Sequence, residues 1–277
     1  MSTAKIPLAG VIGDPVGHSR SPRLHKHWLT THRLTGDYVP LHVTPDDLHT
    51  VLSVLPRIGF VGANVTIPHK LAALSLADEV SETARQIGAA NTLMFRPNGS
   101  IAADNTDGYG FLAHLQDMVP DWHPSHGPAV VFGAGGAARA VIVSLLDSGV
   151  PEVRLTNRTL SKAQMLRDSF GPSVTVVPWS DAAAAIDGAV LVVNTTSLGM
   201  QGADPFDVPL DGLTDRHIVY DLVYAPLETS LLQAARQAGA RPVDGLGMLL
   251  HQGVPGFERW FGVRPVVDAA TRAAVLS

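Results

Sequence analysis

The stretch Val130-Val131-Phe132-Gly133-Ala134-Gly135-Gly136-Ala137-Ala138-Arg139-Ala140 joins an apolar run to an alanine-rich run through three glycines. It reads as a strand, a tight turn and a helix. Gly133 permits the turn, Gly135 has no Cβ to keep a pyrophosphate off the backbone, and small Ala138 lets the helix pack close to the strand. The G-x-G-x-x-A spacing also points unpaired N–H groups and the positive end of the helix dipole at whatever lies over the turn.

A glycine turn by itself is also what an ordinary tight turn looks like, so its surroundings decide. Glu152-Val153-Arg154-Leu155-Thr156 reads as the next strand and runs into Asn157-Arg158-Thr159, about two dozen residues past the first glycine, where a dinucleotide fold reads the adenosine ribose. An acidic residue there would accept from a free 2′-hydroxyl and repel a 2′-phosphate. Asn157 and Arg158 offer donors and a cation instead, which predicts NADP rather than NAD. The missing acid also argues against the methyltransferase variant of the fold, which needs a carboxylate to hold a ribose diol.

The rhythm continues outward from this turn. Helix 137–148, strand 152–156, helix 160–169, strand 174–177, a short helix 181–186, strand 189–194, strand 217–223, helix 229–238 and strand 241–243 make a doubly wound Rossmann-type sheet. Upstream, strands 6–12, 38–43 and 62–67 alternate with helices 23–34 and 45–55, a parallel α/β pattern. A helix at 78–87 and a hairpin follow, the hairpin being strands 91–96 and 100–103 around Pro97-Asn98-Gly99. The Asn-Gly pair suits a type I′ turn, and the hairpin is expected at an antiparallel edge of the first sheet. The last helices, 247–261 and 266–276, have no strand after them and are expected to return to the first domain. The chain is therefore predicted to be a two-domain α/β protein: a mixed, mostly parallel substrate domain over 1–106, completed by 246–277, and a Rossmann domain over 107–245, with a cleft between them.

Composition supports this and removes other classes. Hydrophobic residues are 45% and charged ones 16% of 277 residues, enough for sizeable cores. The net charge of −5 gives no basic face for nucleic acid. With no cysteine there is neither a disulfide framework nor a thiolate site. Met1 to Leu8 lacks an apolar h-region, so no signal peptide is expected, and no membrane span is expected because no run nears about 18 apolar residues. A cytoplasmic location follows by default. The 12 histidines are scattered without a ligand spacing, so no metal site is expected.

Several positions carry more than structure. Gly17-His18-Ser19-Arg20-Ser21-Pro22 places two hydroxyls at a helix start, where Ser21 suits an N-cap and both serines suit a small anion such as a carboxylate. Gly62-Ala63-Asn64-Val65-Thr66-Ile67-Pro68-His69-Lys70 puts Asn64, Thr66 and Lys70 near a strand's carboxyl end. A lysine in the first turn of a helix opposes the dipole, and that local conflict singles out Lys70 beside the simpler choice of a solvated lysine. In Asp104-Asn105-Thr106-Asp107-Gly108, helix-cap preference alone makes Asp107 an N-cap.

Taken together, these segments resemble the shikimate dehydrogenase family over essentially the whole chain. The resemblance also rests on Gly88-Ala89-Ala90-Asn91-Thr92, Asn194-Thr195-Thr196-Ser197-Leu198-Gly199-Met200 and Asp244-Gly245-Leu246-Gly247-Met248-Leu249-Leu250-His251-Gln252. It implies reversible NADPH-dependent reduction of 3-dehydroshikimate to shikimate, on the route to aromatic amino acids, and is compatible with a homodimer. By the same match Lys70 and Asp107 are the catalytic pair. Ser19 and Ser21, with Tyr224, hold the substrate carboxylate, while Asn64, Thr66, Asn91, Asp107 and Gln252 hold its hydroxyls. Gly133, Ala134, Gly135, Gly136 and Ala137 with Asn157, Arg158, Thr159, Leu160, Ser161 and Lys162 take the NADP(H) phosphates. Leu222, Gly245 and Met248 lie by the nicotinamide, and Glu82 is a further cofactor residue.

The residue types suit that chemistry. A hydride leaves an alcohol carbon only as the hydroxyl proton leaves too, so oxidation needs a base beside that oxygen and reduction an acid. Whether Lys70 carries the proton, or orients the oxygen while Asp107 relays, stays open. Ser21 stands where a threonine would point to quinate; an aminoshikimate is another substrate choice, and a non-catalytic NADP(H)-binding regulator the rival of another class. Thr195 stands where the resemblance leads one to expect alanine, with no functional weight attached.

Overall fold

The computed structural model describes residues 6–277; the N-terminal segment read for a signal peptide lies mostly outside them. The chain divides into two compact units, Met1–Gly110 with Leu249–Ser277, and Phe111–Met248.

In the first unit, β1 (Leu8–Gly13), α1 (Ser21–Thr31), β2 (Asp37–His42), α2 (Leu48–Val54), β3 (Phe60–Val65), α3 (Lys70–Ser75), β4 (Glu79–Val80), α4 (Glu82–Ile87), β5 (Thr92–Phe95) and β6 (Ile101–Asp104) follow in order. The sheet order is β2-β1-β3-β5-β6-β4. β1 pairs in parallel with β2 and β3, and β5 runs antiparallel to both β3 and β6. Successive residues of β1 serve opposite faces, as a pleated strand requires. Ala9 and Val11 pack with Tyr38 and Trp260 in one cluster, and Ile12 with Leu48, Leu52 and Leu93 in another.

Three local expectations are corrected here. Residues 78–87 are not one helix. The Asp78 N–H donates to the Ile101 carbonyl and the Asp78 carboxylate accepts the Ile101 N–H, so 79–80 pairs with 102–103 as a strand, and Ser81 then caps α4 by accepting from the Ala84 N–H at 3.0 Å. That short β4 takes the edge, so the 92–104 hairpin lies inside the sheet rather than at its edge. Its turn is not type I′, which needs positive φ at Asn98. Among the described non-glycine residues only Arg33 has positive φ, and Gly99, at φ +89°, instead donates to the Arg96 carbonyl at 2.9 Å. Pro97 locks its own φ negative and so favours this three-residue loop.

In the second unit, β7 (Ala129–Phe132), α6 (Gly136–Ser148), β8 (Val153–Thr156), α7 (Leu160–Phe170), β9 (Val174–Val177), β10 (Leu191–Asn194), β11 (Ile218–Asp221), α8 (Ser230–Gln237) and β12 (Arg241–Val243) build a sheet ordered β12-β11-β10-β7-β8-β9. Every ladder is parallel. The chain winds outward in opposite directions from neighbouring β7 and β10, which makes their carboxyl ends the switch point where open α/β sheets bind ligands. Ala129, Val131, Leu191 and Val193 face one core and Val130, Phe132 and Val192 the other, so helices must cover both faces. The short helix expected at 181–186 is instead two 3-10 turns, Trp179–Asp181 and Ala184–Ile186.

The division into units falls inside two helices, α5 (Asp107–Met118) and α9 (Leu246–Phe261). From Leu249 onward α9 belongs to the first unit, where Trp260 Nε1 donates to the Leu93 carbonyl at 3.0 Å. Gly62 makes room for that indole: a Cβ there would overlap it. The last helix, α10 (Ala269–Leu276), packs on α1. Among the described residues no helix is long and apolar enough to cross a membrane.

Candidate active site

Lys70 opens α3 and Asp107 opens α5. The Lys70 Nζ donates to Asp107 Oδ2, and the two side chains are only 14% and 7% exposed. The lysine that opposed its own helix dipole is thus met by a carboxylate, and the carboxylate itself sits at a helix N-terminus, where negative charge is favoured.

Asp107 is free for this because it does not cap its helix. It is the first residue of α5 rather than the residue before it, and its two carboxylate oxygens go to Lys70 and Asn91, which corrects the N-cap expectation; its own N–H is accepted by the Asn105 side chain at 3.0 Å. Asp104 braces the same turn. Its Oδ1 accepts from Ser81 Oγ at 2.6 Å and from the Asn105 N–H at 2.8 Å, and its Oδ2 meets the Arg259 guanidinium at 2.5 Å. Burial works against the Asp104 charge, yet the bonds from Ser81 and Arg259 hold its carboxyl below the usual range.

Neutral polar groups continue the wall. Asn91 Nδ2 donates to Asp107 Oδ1 at 2.8 Å and to Gln252 Oε1 at 3.2 Å, while its Oδ1 accepts the Thr106 N–H at 2.8 Å. Thr106 Oγ1 donates to the Gln252 carbonyl at 2.9 Å, tying α9 to the start of α5. Asn64 Nδ2 reaches the Asn91 carbonyl at 3.2 Å, and its Oδ1 accepts from the fully buried Tyr38 hydroxyl at 2.7 Å. That phenol also accepts from buried Ser21. Lys70, Asp107, Asn91, Gln252, Asn64 and Ser21 are therefore joined, directly or through one side chain. Ser19 is adjacent, its Oγ accepting the Ser21 N–H at 3.3 Å, and Thr66 follows β3 with its N–H on the Ile12 carbonyl.

Ser21 is the first residue of α1 and not its cap; the cap position is Arg20, whose side chain plays no capping role. Sequence patterns missed Tyr38, Asp104, Arg259 and His69. His69 donates to the Val43 carbonyl at 2.7 Å and so pins the start of α3.

In the second unit Gly133 has φ +108°, and a Cβ on it would stand 2.7 Å from Thr195 Oγ1. Thr195 donates to the Phe132 carbonyl at 2.7 Å, so it packs over the glycine turn, a role that sequence gave no sign of. Gly135 precedes α6 and faces open space. Gly133, Ala134, Gly135, Asn157, Arg158, Trp179 and Thr195–Leu198 line one cavity of about 210 Å³. Open space over Gly135, free N–H groups at a helix start and a cation at Arg158 fit a dinucleotide's phosphates.

Asn157 Nδ2 donates to the Thr159 carbonyl at 2.8 Å, and the Arg158 guanidinium lies 3.6 Å from Asp204. Gly136 and Ala137 begin α6, whereas Thr159, Leu160, Ser161 and Lys162 lie exposed around the start of α7. Leu222, Gly245 and Met248 come together: a Cβ on Gly245 would overlap the Leu222 carbonyl, and Leu222 and Met248 share one cluster. Tyr224 is half-buried in the same unit. Glu82 belongs to the first unit, where it opens α4 and pairs with Arg85 at 2.8 Å.

Three family models match successive segments: a shikimate dehydrogenase substrate-binding domain over residues 11–93, a shikimate/quinate 5-dehydrogenase over 118–200, and a shikimate 5′-dehydrogenase C-terminal domain over 245–275. A protein of Ruegeria sp. named shikimate dehydrogenase (NADP(+)) is 59% identical over 100% of both chains. The chain belongs to the shikimate dehydrogenase family. Another member, named shikimate dehydrogenase (NADP(+)) in Paracoccus denitrificans, is 58% identical over 98% of this chain and 96% of its own. Among solved structures, the Thermus thermophilus shikimate 5-dehydrogenase in complex with NADP(H) and shikimate superposes with a TM-score of 0.87 at 36% identity, covering 97% of this chain and 98% of that one. A Corynebacterium glutamicum quinate dehydrogenase in complex with NAD gives 0.89 at 34% identity, with coverage of 97% and 98%.

Proposed function

We propose that this member of the shikimate dehydrogenase family reduces 3-dehydroshikimate to shikimate reversibly with NADPH, serving aromatic amino-acid synthesis. The observation that carries the proposal is the shielded Lys70–Asp107 pair set among Asn91, Gln252 and Asn64. A ring bearing several hydroxyls is recognised by such neutral donors and acceptors, and analogues that leave buried groups unpaired are rejected.

NADP(H), when bound, supplies or accepts the hydride. In the oxidation direction the ring hydroxyl gives its proton to the Lys70–Asp107 pair as its carbon loses hydride; in reduction the pair returns it. Asn91 holds Asp107 through one amide N–H and presents its other polar edge to the Thr106 turn, so the carboxylate keeps its aim through turnover. Ser19 and Ser21 take the substrate carboxylate beside the start of α1. Residues 1–106 with 246–277 make the substrate-binding part, and 107–245 the NADP-binding part. Arg158 holds the 2′-phosphate and the Gly135 turn the pyrophosphate. A cytoplasmic setting goes with a chain that has no cysteine.

The test is a spectrophotometric comparison of NADP⁺ and NAD⁺ reduction with shikimate, quinate and an aminoshikimate. The highest kcat/KM is expected for shikimate with NADP⁺. A preference for quinate, or for NAD⁺, would overturn the corresponding half of the assignment, and no turnover with any pair would favour a binding protein.

A further inference from the structure

The cation that faces the candidate 2′-phosphate position is already engaged. Arg158 lines the dinucleotide cavity, and its Nη1 lies 3.6 Å from Asp204 Oδ2. Asp204 comes from the loop after β10, and that loop is anchored by its backbone. Gly199 N–H donates to the Asp204 carbonyl at 2.8 Å, Ala203 N–H to the Met200 carbonyl at 3.0 Å, and Gln201 N–H to the Ala225 carbonyl at 2.8 Å. Main-chain bonds therefore fix the backbone from which the carboxylate reaches the guanidinium. Both side chains are largely exposed, 62% and 77%, so the pair adds little to stability and either member can be replaced without threatening the fold.

From this geometry we infer that Asp204 is a specificity-determining counterweight to Arg158, which weakens the hold on a 2′-phosphate and narrows the preference for NADP over NAD. The inference rests on the NADP assignment above. A phosphate arriving at Arg158 meets a guanidinium whose charge is partly neutralised and a second anion beside it. A free 2′-hydroxyl carries no charge and meets no such opposition. The penalty is electrostatic between exposed groups, so it weakens as salt is raised.

The experiment is calorimetric titration of the full chain and of Asp204→Asn with adenosine 2′,5′-bisphosphate and with 5′-AMP, at low and at high salt. These ligands differ only in the 2′-phosphate, so binding is read without turnover. Asp204→Asn is expected to tighten the bisphosphate by about threefold at low salt, the scale of one exposed charge pair, to leave 5′-AMP unchanged, and to match the wild type at high salt. No tightening, or equal tightening of both ligands, would overturn the role of Asp204. If the wild type itself holds the two ligands equally and Arg158→Met changes neither, the NADP assignment fails and the counterweight falls with it.

Discussion

Lys70 Nζ donates to Asp107 Oδ2, and Asn91 Nδ2 holds the other oxygen of the same carboxylate at 2.8 Å. Two helix starts, α3 and α5, thus present opposite charges to each other with little water between them. Replacing Lys70 with Ala is expected to lower kcat by about 10²–10⁴-fold, the usual worth of a positioned acid-base group, while affinity for NADPH, followed by its fluorescence, stays as it was. Activity within a few-fold of wild type would remove Lys70 from the proton path. Asp107→Asn should also cost stability, about 3–5 kcal/mol, because it leaves a shielded ammonium unpaired.

The two glycines of the dinucleotide turn are expected to separate folding from binding. Gly133 has φ +108° and a Cβ would crowd Thr195, so Gly133→Ala should destabilise by about 1–3 kcal/mol in urea titrations. Gly135 has φ −92° and nothing near its missing Cβ. Gly135→Ala should therefore unfold like wild type, yet bind NADP⁺ about tenfold more weakly or worse, because the methyl occupies the space of an approaching pyrophosphate. An alanine at 135 that leaves cofactor affinity intact would move the pyrophosphate elsewhere.

Arg259 tests how far the N-T-D-G turn depends on its support. With Arg259→Leu, Asp104 keeps its bonds from Ser81 and Asn105 but loses the guanidinium, and a cost of about 1–3 kcal/mol is expected at neutral pH. The folded state holds the Asp104 proton affinity below its unfolded value, so its stabilisation is present above the unfolded pKa and vanishes as pH falls through the folded one. The gap between variant and wild type should therefore close in acid. A gap that is constant with pH would mean that Arg259 acts through packing alone.

The second unit was legible because its features recur: short, continuously apolar strands whose successive residues serve two cores, helices between them, and a glycine turn whose spacing has a steric cause. β4 was not, since two residues, Glu79 and Val80, are too few to show any period. The role of Asp107 was hidden by a local competition. Its carboxylate, which propensity would spend on capping the helix, is taken by Lys70 and Asn91 instead, and only coordinates reveal which partners win. Tyr38 reads as one more apolar residue of a strand, and its hydroxyl acquires meaning only where Asn64 and Ser21 meet it. Asp104 and Arg259 are far apart in the chain, and nothing local links them.

Asp221 makes the clearest pH prediction. It ends β11 wholly buried, and burial raises its pKa to about 6, although Thr229, the Val223 N–H and Asn194 all donate to the carboxylate. The folded state therefore binds this proton more tightly than the unfolded chain does, whose value is near 3.8. Stability from Asp221 is full below the unfolded pKa and is lost as pH rises through about 6, a change of about 3 kcal/mol at most. Asp104 and other carboxyls held low act in the opposite sense at lower pH, so the comparison must be made against Asp221→Asn. Asparagine keeps an acceptor for Asn194 and Val223, and the Thr229 hydroxyl can turn to accept from its amide. Urea midpoints between pH 4 and 7 should show wild type losing stability relative to Asp221→Asn as pH rises, whatever fixed offset separates them. A difference that is flat, or that grows in favour of wild type, would mean the three donors outweigh burial and keep this carboxylate charged throughout.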